Sequence, residues 1–396
     1  MNERQITDLL RGTPAPAERE AEERGWRVVQ AAFEQRSPAR RPARRPNRVA
    51  IAIAIAIGGL VLALTPAGAK VADLVHDVVH PGAKNARPEL TSLPTSGRLL
   101  VTAPSGSWVV AENGGKRRLG SYDDAAWSPR GLFVAVTRGR ELTAVEPDGT
   151  VRWSLSADHR VSDPAWAPSG IRVAYRAGDS LRVVAGDGTG DRRLARNVAP
   201  TPPAWAPEGD RNILAFVDPN DRVRAVDVES GKALWSSAPF SGGVQSLQWS
   251  PSGRLLVMAR SFFVILDERG RTIAKGPTDG PAEAAVFAPN GRTIALARRT
   301  NPGSELVLLS LKSAGLSQRE LFAGPGRFTD VTWSPNGEWV LLDWRDADQW
   351  LFIRPADRKV VAVSGISRQF APGASARVGF PQVAGWCCAA TGTSAP

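Results

Sequence analysis

Six segments of this chain carry an aromatic residue followed by Ser or Ala, then Pro, any residue and Gly. They read AAWSPRG from Ala125, PAWAPSG from Pro164, PAWAPEG from Pro203, LQWSPSG from Leu247, AVFAPNG from Ala285 and VTWSPNG from Val331. The aromatics Trp127, Trp166, Trp205, Trp249, Phe287 and Trp333 lie 39, 39, 44, 38 and 46 residues apart. After each motif comes a β-rich run such as LFVAVTR or RTIALAR, then a third run, a turn such as EPDG or ESG, and a short fourth run such as TVRWSL. Asp-Gly and Ser-Gly are hairpin chemistry, because Gly reaches the positive φ that tight turns need.

A period near 40 with four strands per unit predicts an all-β propeller. One four-stranded sheet cannot bury both faces alone, and radial stacking buries them against neighbours. Within each motif, Pro129, Pro168, Pro207, Pro251, Pro289 and Pro335 end the first strand. Gly131, Gly170, Gly209, Gly253, Gly291 and Gly337 supply the turn into the second. The aromatic is placed to pack between blades. At the start, 96–120 has strands two to four but no preceding motif; at the end, PQVAGWCCAA puts Trp386 where a motif Trp belongs, with nothing after it. The C-terminal segment is therefore expected to give the first strand of a blade begun at the N-terminus. That makes seven blades, with six as the alternative count.

The pattern resembles the TolB-type, WD-like propeller repeat over 96–390, although the GH and WD dipeptides of eukaryotic WD repeats are absent. The resemblance implies a propeller fold and, by analogy, a role in envelope assembly. Gly149–Trp153 and Gly231–Trp235 are also similar to the G-x-x-x-W ending of quinoprotein repeats, in two units only, which is too few to imply a quinone. No cofactor is expected.

Ahead of the repeats, 49–69 is uncharged and opens VAIAIAIAIGGLVLAL, long enough for one transmembrane helix. Arg36, Arg40, Arg41, Arg44, Arg45 and Arg48 precede it and only Lys70 closely follows, so the positive-inside rule puts the N-terminus in the cytoplasm and the propeller outside. Cleavage at Ala67-Gly68-Ala69 is the rival reading. The Arg cluster explains much of the formal charge of +11 without nucleic acid, and the Arg of the globular part are spread through strands and turns and not gathered in one stripe. The expected organisation is a helical cytoplasmic tail over 1–36, an Arg/Pro-rich linker over 37–48, the membrane helix over 49–69, a juxtamembrane linker over 70–95, the propeller over 96–390 and a disordered tail over 391–396. In the first tail Trp26, Val29 and Phe33 form a short apolar face suited to docking a partner. This layout is similar to that of actinobacterial membrane-bound anti-sigma factors and would make a cytoplasmic sigma factor the partner; the HxxxCxxC zinc motif of that family is absent.

No nucleophile elbow, phosphate loop or dinucleotide fingerprint is present, so no catalysis and no catalytic residue are predicted. His76 and His80, four apart, are read as part of an amphipathic juxtamembrane helix in preference to a metal pair, and His159 is assigned no role. The acidic turns at Glu146, Ala185 and Asp218 are read as hairpins in preference to calcium loops. Cys387 and Cys388 are the chain's two cysteines, and being adjacent they exclude any disulfide framework beyond a bridge between neighbours. Trp339, Trp344 and Trp350 exceed the motif's needs and are read as blade packing, with an exposed binding patch as the alternative. The expected function is a non-catalytic binding or sensor module for a protein or envelope ligand. A TolB-like assembly factor and an envelope enzyme with acidic residues in the channel are the alternatives; a cluster of buried carboxylates at one mouth would mark the latter.

Overall fold

The computed structural model describes residues 87–312, 315–371 and 379–388. The tail with Trp26, Val29 and Phe33, the linker over 37–48, the apolar segment over 49–69, His76, His80 and the segment over 391–396 lie outside the described residues. No helix among the described residues is long and apolar enough to cross a membrane.

Seven four-stranded antiparallel sheets are formed by the described residues. Blade 1 is the split one: the strand Gln382–Cys387 pairs with Arg98–Ala103, which continues to Gly106–Val110 and Lys116–Gly120. In that blade Trp386 sits opposite Leu99, as the sequence predicted for a ring-closing strand. The first strands of blades 2 to 7, numbered in chain order, are Asp124–Trp127, Val161–Trp166, Ala204–Trp205, Ser246–Trp249, Ala282–Phe287 and Phe328–Trp333. Seven blades, not six, are therefore present.

The core is not one mass. It divides into seven clusters, each drawn from two neighbouring blades. Successive residues of a strand face opposite neighbours: Leu99 and Val101 enter the seam with blade 7, and Leu100 the seam with blade 2. With both faces covered, inner strands lose polar alternation, as in the wholly buried Leu255–Met258. Outer strands such as Val151–Ser156 are largely exposed.

Each motif aromatic packs on the preceding blade. The Trp205 indole N–H donates to the Ala165 carbonyl at 2.9 Å, and that of Trp333 to Val286 at 3.3 Å. In the turn that follows, the Gly N–H returns to the Ser or Ala carbonyl, as from Gly131 to Ser128 and from Gly170 to Ala167. Five of the six motif glycines have φ between 65° and 75°. Gly209 does not. Ala206 N–H bonds Ile213 there, whereas Ala167 N–H bonds Arg172, so two extra residues widen the loop. Trp153 and Trp235 lie over Gly188 and Gly270 of the next blade, and their indoles donate to Gly186 and Glu268 at 2.8 Å. The G-x-x-x-W endings thus act as seam contacts.

Trp339, Trp344 and Trp350 are 4%, 1% and 0% exposed, which removes the reading of an exposed patch. Trp344 makes edge contacts with Phe322 and Phe328 and donates to Pro325; Trp350 lies against Phe370 in a short helix, Ile366–Phe370. Packing also begins before the first strand. Arg87 forms a parallel bridge with Val363 at the outer edge of blade 7, and Leu90 and Leu93 are buried in the seam between blades 7 and 1. Cys387 and Cys388 are joined to each other, and both sulfurs face the position of Gly131 in blade 2.

A candidate binding site at one mouth of the central channel

The first strands begin at one end of the channel, and residues of blades 1, 2, 3 and 7 meet there. Asp124, Asp163 and Asp330 occupy one repeat position, three residues before Trp127, Trp166 and Trp333. Each carboxylate is fixed differently. Asp124 accepts its neighbour Ala125 N–H and, across the seam, Asp163 N–H, both at 2.8 Å. Asp163 is paired with Arg176 at 2.8 Å. Asp330 accepts Val331 N–H at 2.7 Å and lies opposite Asp343 on the second strand of blade 7.

Most acids at this mouth have an arginine. Glu283 pairs with Arg299 and Arg327, Asp279 and Glu305 with Arg298, and Asp123 with Arg160. Asp330 and Asp343 are held instead by burial and by each other. Burial pushes the Asp330 carboxyl up to about 6, with only the Val331 N–H pulling the other way. Asp343, 1% exposed, is raised well above the ordinary range by burial first and by the Asp330 charge second; the Val383 N–H of blade 1 opposes the shift. Its Oδ2 has no hydrogen-bond partner among the described residues. Asp124 is also raised, by burial first, against the two N–H groups it accepts. Two carboxylates this close cannot both ionise cheaply in a low-dielectric site.

A cavity of about 380 Å3 opens beside them. Thr102, Gln382 and Val383 of blade 1, Asp123, Asp124 and Thr137 of blade 2, Ser162 of blade 3 and Asp330 of blade 7 contribute to its wall. Thr137 is 0% exposed, and neither its hydroxyl nor that of Thr102 has a partner among the described residues. Four blades converge here, so the cavity exists only because the ring closes.

The site's aspartates were not among the residues singled out from sequence, although a constant offset from the motif aromatic marks three of them. The motif residues themselves take no part in this site: Trp127, Trp166, Trp205, Trp249, Phe287, Trp333 and Trp386 sit in the seams, and the Pro and Gly residues in turns beyond the first strands. The acidic turns spend their carboxylates on their own backbones. Asp148 accepts Thr150 N–H, Asp187 accepts Thr189 N–H, and Asp218 accepts Asn220 and Arg222 N–H.

No family model matches the chain, and no curated protein does. Among solved structures it is similar to a chain of the mitotic checkpoint complex, with a TM-score of 0.50 and 15% identity over 70% of this chain and 89% of that one. Hydrazine synthase of Kuenenia stuttgartiensis aligns over 59% of this chain and 76% of its own, with a TM-score of 0.49 and 14% identity. At 15% identity the first likeness bears on the fold alone, and it agrees with the propeller; the second is too low to carry an argument.

Proposed function

We propose that this chain is a non-catalytic binding module whose ligand, a protein or another envelope component, docks at the acidic mouth of the channel. The observation that carries this reading is the cavity itself: four blades bring carboxylates, hydroxyls and an amide to one wall, and two of the hydroxyls have no partner among the described residues. Concave sites with a few convergent polar groups are where ligands bind. The uncharged segment over 49–69 and the six arginines before it support a membrane anchor with the propeller outside the cell. A cytoplasmic regulator, a sigma factor by analogy of layout, would dock on Trp26, Val29 and Phe33. A TolB-like assembly role rests on the repeat signature alone.

The buried carboxylates favour a second reading, an envelope enzyme. Against it, Asp343 is sealed behind Asp330, so one member of the pair reaches the cavity and the other touches no substrate. Binding is the reading that needs only one.

A photo-cross-linking residue at Gln382, exposed on the cavity wall, tests the proposal in cells producing the full chain. The expected result is a specific cross-linked protein or envelope component that is missing when the label is moved to Val151 on an outer strand. The same products from both positions, or none from Gln382, would refute it.

A further inference from the structure

We propose that the channel mouth takes a cationic nitrogen group, an ammonium or a guanidinium, between Asp330 and Asp124. This rests on the binding reading above and names the chemistry of its ligand.

Acceptors dominate the wall. Asp123, Asp124 and Asp330 are acids; Thr102, Thr137, Ser162 and Gln382 add neutral oxygens. Arg160 is the one cation lining the cavity among the described residues, and it is committed to Asp123 at 3.0 Å with 72% of its side chain exposed. Thr137, fully buried with an unpartnered hydroxyl on the wall, is the second sign of a ligand, since buried polar atoms in folded proteins are ordinarily paired.

A metal ion fits less well. Hard cations need several oxygens at about 2.0–2.6 Å around one point. Among the described residues no group of three or more His, Cys, Asp or Glu side chains converges that closely. Acceptors spread round a channel suit an ion with several N–H donors on an extended frame, and about 380 Å3 has room for the end of a long side chain. Such a group would hydrogen-bond Asp330 and Asp124 from one position, and Gln382 or Ser162 from another.

Proton and ligand compete. Asp330 lies opposite Asp343 within blade 7 and shares the cavity wall with Asp123 and Asp124 of blade 2, Arg160 and Ser162 of blade 3, and neutral Thr102 and Gln382 of blade 1. Since Asp330 keeps its proton up to about 6, a cation binds best above that pH.

The test titrates the full chain, in detergent micelles, with acetyl-Gly-Arg-Gly-amide, its neutral citrulline counterpart and agmatine, by calorimetry. The expected result is that the Arg peptide binds at pH 7.5 at least about tenfold tighter than the citrulline peptide and loses about tenfold by pH 5. Asp330→Asn should abolish that preference while the protein stays folded by circular dichroism. Thr102→Val, which keeps shape and charge, should weaken the Arg peptide less. A peptide tighter than agmatine points to a polypeptide source; agmatine as tight points to a free amine. Equal affinity for Arg and citrulline peptides, no binding of either at millimolar concentration, or an unaltered preference in Asp330→Asn would overturn the inference. If Gln382 cross-linking still captures a ligand in that case, the module reading survives and only its cationic chemistry fails.

Discussion

Asp343 and Asp330 together carry one of the clearest electrostatic costs in the ring. An unfolded aspartate releases its proton near 3.8, whereas Asp330 in the fold holds it up to about 6. Between those values the folded state binds the extra proton. The contribution of Asp330 to stability is therefore full at low pH, falls as the pH rises through this window, and is lost above it. Asp343→Asn and Asp330→Asn each remove a carboxylate from the pair while leaving an oxygen to accept the Val383 or Val331 N–H. Both variants should be more stable than the parent at pH 7.5, on the order of 1–3 kcal/mol, and close to it at pH 4. Denaturant unfolding at the two pH values checks this, and a loss of stability in both variants at pH 7.5 would contradict it. The place of such a pair beside a cavity is itself informative, because carboxylates with raised pKa concentrate where ligands bind.

The repeating turn is the element whose chemistry can be read most directly. Gly170 and Gly209 hold the same motif position, and a Cβ added at either would meet nothing within 4 Å. Only Gly170 has positive φ, at 75°. Gly170→Ala should thus cost about 1–2 kcal/mol, and Gly209→Ala should cost nothing or stabilise slightly. Chemical denaturation of the two variants side by side gives the answer, and equal effects would mean that crowding or loop context outweighs the dihedral. The motif predicted one turn for six glycines and the structure has it at five, because Asp210 and Arg211 lengthen the loop after Gly209. Trp339, Trp344 and Trp350 show another limit. Tryptophans have the same letters whether they face water or a neighbouring sheet, and what decides is their neighbours in the fold: Phe322 and Phe328 edge-on to Trp344, Phe370 beside Trp350 and Arg354 over Trp339.

At the scale of the ring, the aromatic period and the stray Trp386 were enough to predict seven blades and a shared one. The binding site was not legible in the same way. Asp330 and Asp124 are 206 residues apart in sequence, and nothing local to either says that blade 1 will bring them to one wall. Their common offset from the motif aromatic was readable, but its meaning depends on the ring. Closure is correspondingly a stability matter. A chain stopped before Gln382 loses Val383 and Trp386 from the seam with blade 7 and leaves the strand Arg98–Ala103 unpaired on one side. Removal of the Trp386 side chain alone costs about 3–5 kcal/mol. The truncated protein should unfold at markedly lower guanidinium concentration and self-associate on gel filtration, whereas an unchanged midpoint would mean that six complete blades suffice.

Blade 1 also sets a schedule. Its strand Arg98–Ala103 leaves the ribosome 279 residues before Gln382, the start of its inner neighbour. Throughout that interval a nascent chain carries an open arc with a bare sheet edge, the template on which foreign strands add. Synthesis of this protein is thus a race between the arrival of its own last strand and the arrival of somebody else's, and holding the arc unfolded until synthesis ends is the surest way for a cell to win it.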